Sequence, residues 1–397
     1  SIEENFSKEF FEYNKIKLSP IISIDSDKIR AATVYNNCCG HIWVNDFNFS
    51  PIQSGKKIFK DINFNSQYSY AKNKLVDFMS GNIDAGEIIN LDKFAKFLAL
   101  TDIFGGWHGS ETSNLKLYFN PYTKFLEPIP DDIFDEPRNT PNRDFALFKI
   151  NNIRGYSVFY EKLFNSNKFL EIYYHYLKKF SKKEYVKAIS DKYQEELKVV
   201  NLKISNDDFF FENTIIKRLN ENRETVSKFL NPNYPLEIIH VSKDDKNFLE
   251  LDLQNNYYFP INLDSLNING KIYQINEVVN PKKISLNSLF EGSYFHILKK
   301  PKRSKIRIKI LEDNEFTKNT KINYSIGNSE VKTYTLSDFN PIELKLNLTS
   351  NLENLKDQLN LNKISKKITP INNKLIINKN LFFPKDYKFQ INQNIDI

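Results

Sequence analysis

Residues Gly105–Asp132 read GGWHGSETSNLKLYFNPYTKFLEPIPDD, and the fold turns on how this stretch is parsed. A glycine pair of this kind stops a helix. From Leu115 to Phe119 the chain alternates as a strand, Asn120-Pro121-Tyr122-Thr123 supplies turn chemistry, and Phe125 to Ile129 returns as the partner strand. A helix, a loop and an antiparallel hairpin are therefore expected in that order. Residues equidistant from a hairpin turn face one another, which sets Asn114 roughly opposite Ile129 or Pro130, with Asp132 about two residues beyond. A carboxamide and a carboxylate then meet at the open end. Both offer hard oxygens, and a Mg²⁺ ion that keeps several waters needs only one or two such ligands besides phosphate oxygens. His108, on the loop, is placed to serve the same end as a base or a phosphate-facing donor. Each residue also has a plainer reading: Asn as turn chemistry, Asp as a cap, His as a structural side chain.

Outward from that stretch, Asn90 reads as the N-cap of the helix that the glycines end, with Leu91, Phe94, Ala95 and Leu98 on one buried stripe. Ala71–Gly81 reads as a shorter helix stopped by glycine, and Phe159–Phe180 and Thr214–Leu230 as amphipathic helices ended by polar or Asn-Pro punctuation. The opening residues, before Asp25, carry a strand-then-helix pattern. After Asn231-Pro232 the period changes. LEIIHV, NFLELDL, KIYQI, KIRIKIL, VKTYTL and IELKLNL mostly alternate, as in a β-sandwich-like domain. Within the basic run Lys299–Lys309, Arg307 and Lys309 are expected on the wet face of an edge strand, where charge discourages aggregation. The fold class is thus α+β, with three segments: residues 1–235, a β-sandwich-like 236–365, and a strand-rich 366–397.

Composition narrows the function classes. A chain of 397 residues, 40% apolar with 33 Phe and 21 Tyr, has ample material for two or three domains. Its net charge of +7 comes from Lys interleaved with Asp and Glu, which describes a solvated surface and gives no nucleic-acid footprint. Cys38 and Cys39 are adjacent, so they build neither a disulfide framework nor a CxxC metal site. Lys93, Lys96 and Asp102 interrupt the most apolar run, so no membrane span is expected. The first residues show no basic segment leading into an apolar one, hence no visible signal peptide, and the chain reads as a piece of a longer protein.

The stretch ALTDIFGGWHGSETSNLKLYFNPYTKFLEPIPDD, Ala99–Asp132, resembles the CotH kinase family, spore coat protein H and its relatives. It aligns without a gap to a pattern of one branch, ALTDLFGAWHxxxxxNLRFYYNPxTxxLEPIxxD. EENFSKEFFEYNKIKLSPII, LFNSNKFLEIYYHYLKKFSKKEYV and NENRETVSKFLNP are similar to flanking family segments, so the resemblance covers roughly residues 1–232. The final NNKLIINKNLFFPKDYKFQI is similar to a segment leading into a parallel β-helix. What the resemblance implies is an atypical protein-kinase-like C-lobe and Mg²⁺-dependent phosphoryl transfer from ATP to protein Ser or Thr, in an extracellular or cell-envelope setting. It puts the metal-binding, nucleotide-facing positions on Asn114 and Asp132 and the loop position on His108. Well-studied members carry Asp where His108 stands, so the identity of the base stays open. The family's nucleotide-gripping Lys and phosphate-covering loop lie upstream of the residues that match Ser1 onward. The alternative is a catalytically inactive, kinase-shaped interaction or structural module of a cell-surface protein.

Overall fold

The computed structural model describes residues 8–24, 49–52, 60–106, 108–110, 114–130, 158–207, 215–232, 235–243, 246–281, 304–311, 320–327, 329–335, 359–362, 367–370 and 388–389. Cys38, Cys39, Trp107, Asp131, Asp132 and the expected strand IELKLNL lie outside them. The architecture is α+β, with helices first and antiparallel sheets after.

Short helix α1 (Lys8–Tyr13) precedes strand β1 (Ile21–Ile24), and the part of the expected strand-then-helix opening before Lys8 lies outside the described residues. Phe11 is buried against Ile21, Tyr118 and Ile129, so the segment folds back over its own strand. Strand β2 (Phe49–Pro51) pairs with β1, and β1 pairs with β3 (Lys116–Phe119), which pairs with β4 (Leu126–Ile129). This four-stranded antiparallel sheet is buried on both faces. Leu117, Phe119 and Leu126 enter the main core, whereas Tyr118 and Ile129 enter the small cluster under α1.

Helix α2 (Ile62–Ser80) is capped at its start by Asp61, whose carboxylate accepts from Asn63 N and Phe64 N, and at its end by Gly81 at φ 81°. Helix α3 (Leu91–Phe104) opens on Asn90, whose side chain accepts from Lys93 N, and all four residues of the expected stripe are buried. The single helix expected over Phe159–Phe180 is two: α4 (Val158–Phe164) and α5 (Asn167–Phe180). Ser166 divides them because its side chain caps α5, accepting from Phe169 N at 3.4 Å. Helices α6 (Lys183–Asp207) and α7 (Ile215–Phe229) complete the helical part. No helix among the described residues is long and apolar enough to cross a membrane.

Two antiparallel sheets follow. One has the order β5-β6-β9, from Leu236–Lys243, Phe248–Asn255 and Ser304–Lys309. The other has the order β11-β10-β7-β8, from Lys332–Thr335, Lys321–Ile326, Ile261–Ile268 and Lys271–Val279. Strand β9 is an edge, and Arg307 and Lys309 lie exposed on it as expected. Arg307 lies 4.3 Å over the Phe248 ring and 3.5 Å from Glu250 across the strand pair. In the crossover between the sheets, buried Asn255 donates to Phe259 O (2.8 Å) and Val279 O (2.9 Å) and accepts from Tyr257 N (2.7 Å), so its burial leaves no polar debt. A third small sheet joins β12 (Leu359–Asn362), β13 (Lys367–Pro370) and β14 (Lys388–Phe389), the last pair parallel.

Helices and sheets share one apolar core. The Phe259 ring sits 5.0 Å from Tyr174 and 6.2 Å from both Tyr173 and Phe229, and Tyr257 Oη donates to Phe229 O at 3.0 Å.

Candidate functional site

Helix α3 is buried almost all round, at Leu91, Phe94, Ala95, Phe97, Leu98, Ala99, Thr101, Asp102 and Ile103, so it is a fixed rod around which the site is assembled. Its end is set by Gly105 at φ 73°, a conformation that costs an L side chain about 1–2 kcal/mol. The amides of Gly105 and Gly106 both close on Thr101 O, which satisfies carbonyl capacity at the helix end. Asn222 of α7 donates to Ile103 O at 3.1 Å, and its Nδ2 would lie 3.2 Å from a Cβ at position 105. A glycine is needed there on both counts.

His108 opens the 3₁₀ turn His108–Ser110 that follows this cap. Tyr160 of α4 donates its hydroxyl to Ser110 O, and Tyr173 of α5 donates to the carboxylate of Asp102 in the last turn of α3. All four residues are buried, Asp102 to 1% exposure and Ser110 to 2%. Asn114, half-buried, stands at the mouth of the hairpin, and Lys116 Nζ donates to its backbone carbonyl at 3.3 Å.

The hairpin's closed end is latched to the start of α3. Glu127, 7% exposed, receives Lys93 Nζ at 2.7 Å, Asn120 Nδ2 at 3.1 Å and Asn90 Nδ2 at 3.4 Å. Backbone bonds reinforce the latch, Leu126 N to Ile88 O at 2.7 Å and Asn90 N to Leu126 O at 2.9 Å. Asn120 works at both ends, since its Oδ1 accepts from Tyr122 N and Thr123 N and so shapes the turn while its amide reaches Glu127. Beside the latch, burial first, and then the Glu127 carboxylate and Tyr122, push the Tyr118 phenol up to about 12. Its hydroxyl donates to Lys17 O at 2.9 Å.

Lengths carry the geometry from there. The 14 residues of α3 span about 21 Å, and the six steps from Asn120 back to Asn114 span about 20 Å. The hairpin is thus about as long as α3, and the chain itself ties its open end to the His108–Ser110 turn, which closes at Ser110 just before Asn114. Strand β4 runs from Leu126 to Ile129 toward the same end.

One expected pairing is corrected. Lys116 faces Ile129, so Asn114 lies two residues before the last pair and faces neither Ile129 nor Pro130. The cause is the turn: Asn120 N closes on Phe125 O and Lys124 takes φ 61°, so the reversal is longer than Asn120–Thr123 and the register moves. Of the three residues singled out from sequence, His108 opens the turn that follows the α3 cap and Asn114 leads into β3, while Asp132 lies outside the described residues. Among the described residues no group of three or more His, Cys, Asp and Glu side chains could hold a metal ion. In their chemistry, the carboxamide of Asn114 and the carboxylate of Asp132 match a Mg²⁺ ion that keeps most of its waters.

Sequence reasoning missed Glu127, Asp102, Tyr160 and Tyr173. For Asp102 a signal was present: a lone carboxylate in the otherwise apolar LALTDIF, one turn before a helix stop, is a charge placed where burial demands a partner. Compared with known proteins, the chain matches no family model and no curated protein.

Proposed function

We propose that this is a CotH-like protein kinase, with residues up to about 235 forming a kinase-like C-lobe, that transfers the γ-phosphoryl of Mg²⁺-ATP to a Ser or Thr of a protein acceptor in an extracellular or envelope setting. The observation that supports it is a glycine-capped helix whose start is latched to the closed end of a hairpin, with the His108 turn and Asn114 following one another on the chain between the two. The segment that forms this unit is the one whose sequence resembles the family.

In this reading Asn114 and Asp132 hold the metal ion, and bound Mg²⁺-ATP supplies the phosphoryl group and the charge that neutralises it. The protein's own contribution is placement. Asn114 projects from a strand mouth fixed by the buried Leu115 on one side and by the turn on the other. In the same reading the His108 imidazole accepts or relays the proton of the acceptor hydroxyl. The parallel pairing of β13 with β14 favours a β-helix beginning near the C-terminal end.

The test is Mg²⁺-dependent ATP binding and turnover by the full-length protein. Asn114→Ala or Asp132→Asn lowers both by at least about tenfold, because metal charge stabilisation is worth several kcal/mol. Unchanged values reject the assignment. Absence of Mg²⁺-dependent ATP binding in the unaltered protein favours the catalytically silent module, a reading that the core shared between helices and sheets also suits.

A further inference from the structure

We propose that Tyr160 is a positioning residue, with Tyr173 and Asp102 as its second brace, that fixes the His108–Ser110 turn and the approach to Asn114. The inference rests on the kinase reading for its purpose, though not for its geometry.

The turn follows two glycines, which by themselves leave the direction of the chain poorly determined. Something must choose it. The helix cap fixes Gly105 and Gly106 on Thr101 O, and those two bonds end at Gly106. The Tyr160 hydroxyl reaches Ser110 O from a different element: α4 packs with Phe159 against Phe94 at 5.5 Å and against Phe78 at 5.6 Å, so the ring is held on the same core as α3. Tyr160 itself lies edge-on to Phe159 at 5.4 Å and tilted against Phe164 at 6.1 Å, leaving the ring little freedom to follow a moving loop. Its hydroxyl is thus a fixed donor, and the Ser110 carbonyl comes to it.

The second brace acts on the other side of the glycines. A carboxylate buried to 1% exposure in the last turn of a helix is disfavoured by desolvation and by the negative end of the helix dipole. The Tyr173 hydroxyl answers it, from a ring stacked on Phe169 at 5.8 Å. Two phenols from consecutive helices therefore hold the chain on either side of Gly105-Gly106, one at Asp102 and one at Ser110. A glycine pair between two fixed points gives the chain room to turn sharply while its exit stays defined.

The experiment uses the full-length protein and Tyr160→Phe, which removes one oxygen and leaves the ring. Backbone hydrogen exchange in the peptide spanning residues 105–116 is expected to quicken about tenfold, the equivalent of about 1.4 kcal/mol, while exchange in β7 and β8 stays unchanged. Equal exchange at residues 105–116 overturns the proposal, and so does a uniform rise across the molecule, which would mark Tyr160 as ordinary core. If Mg²⁺-ATP binding is present, Tyr160→Phe lowers kcat with KM for ATP changed less, and Tyr160→Leu, which also loses the ring, fails to restore either the loop's protection or kcat. An Asn114→Ala protein that binds Mg²⁺-ATP normally would end the kinase reading and leave the exchange result standing on its own.

Discussion

Two hairpins in this molecule are built on opposite plans. β3–β4 is short and buried on both faces, is joined by a long turn with Lys124 in the left-handed region, and is tied at that turn by Glu127 to another element. β7–β8 is about twice as long, joined by the two-residue turn Asn269-Gly270, and its second strand faces outward, with Ile272 56% and Val278 44% exposed. The second is closed by local turn chemistry and keeps β8 wet, while its first strand is buried and pairs with β10. The first depends on its surroundings, and a hairpin fixed from outside suits the site proposed at its open end.

The largest effect that would break this contrast is in the core. Leu117→Ala, at a fully buried position on β3, is expected to cost about 2–5 kcal/mol in denaturant unfolding, whereas Ile272→Ala on β8 stays within about 0.5 kcal/mol. Similar losses at both positions would erase the distinction. Next come the glycines. Gly105→Ala adds backbone strain to a contact 3.2 Å from Asn222 and is expected to lower stability by about 2 kcal/mol, while Gly270→Ala, at φ 86° with open space around it, costs about 1 kcal/mol. A thermal melt of the two variants side by side would sharpen or reverse that order.

The smallest effect is on pH dependence. The Tyr118 phenol, ordinarily at 10.0, is pushed up to about 12. Below pH 10 both folded and unfolded chains keep this proton; between 10 and 12 the unfolded chain releases it first, so stability falls as pH rises through that window. Tyr118→Phe should make the alkaline decline shallower. It will not abolish it, because burial also raises Tyr257 and Tyr174 in the aromatic cluster between helices and sheets. An alkaline limb unaltered by Tyr118→Phe would show that this phenol is not held as described.

Much of the fold was legible wherever a local rule decides the outcome. Asn90 and Gly105-Gly106 announced both ends of α3, and Asn120 announced the turn of the first hairpin. The register was not legible, because it depends on Lys124 taking a left-handed conformation that no local rule demands of lysine. Strands β7 and β10 were overlooked, although Asn269-Gly270 is the strongest short-range hairpin signal in the chain and would have found β7. Helix α6 was also not legible, since its side chains from Lys183 to Val199 are largely exposed and carry a weak stripe. At the site, sequence could nominate His108 and Asn114 as chemistry but could not find Glu127 or Tyr160, whose partners lie 34 and 50 residues away. Such contacts exist only after the chain has folded.

The match between helix and hairpin has a consequence for how this protein can change. Exposed side chains such as Lys96 can be exchanged without moving either element, but a residue added to or removed from β3 displaces the mouth by about 3.3 Å and turns every following side chain to the opposite face. The unit is a caliper whose jaws are set by a residue count. Substitutions can drift through it, whereas insertions and deletions should be confined to the loops.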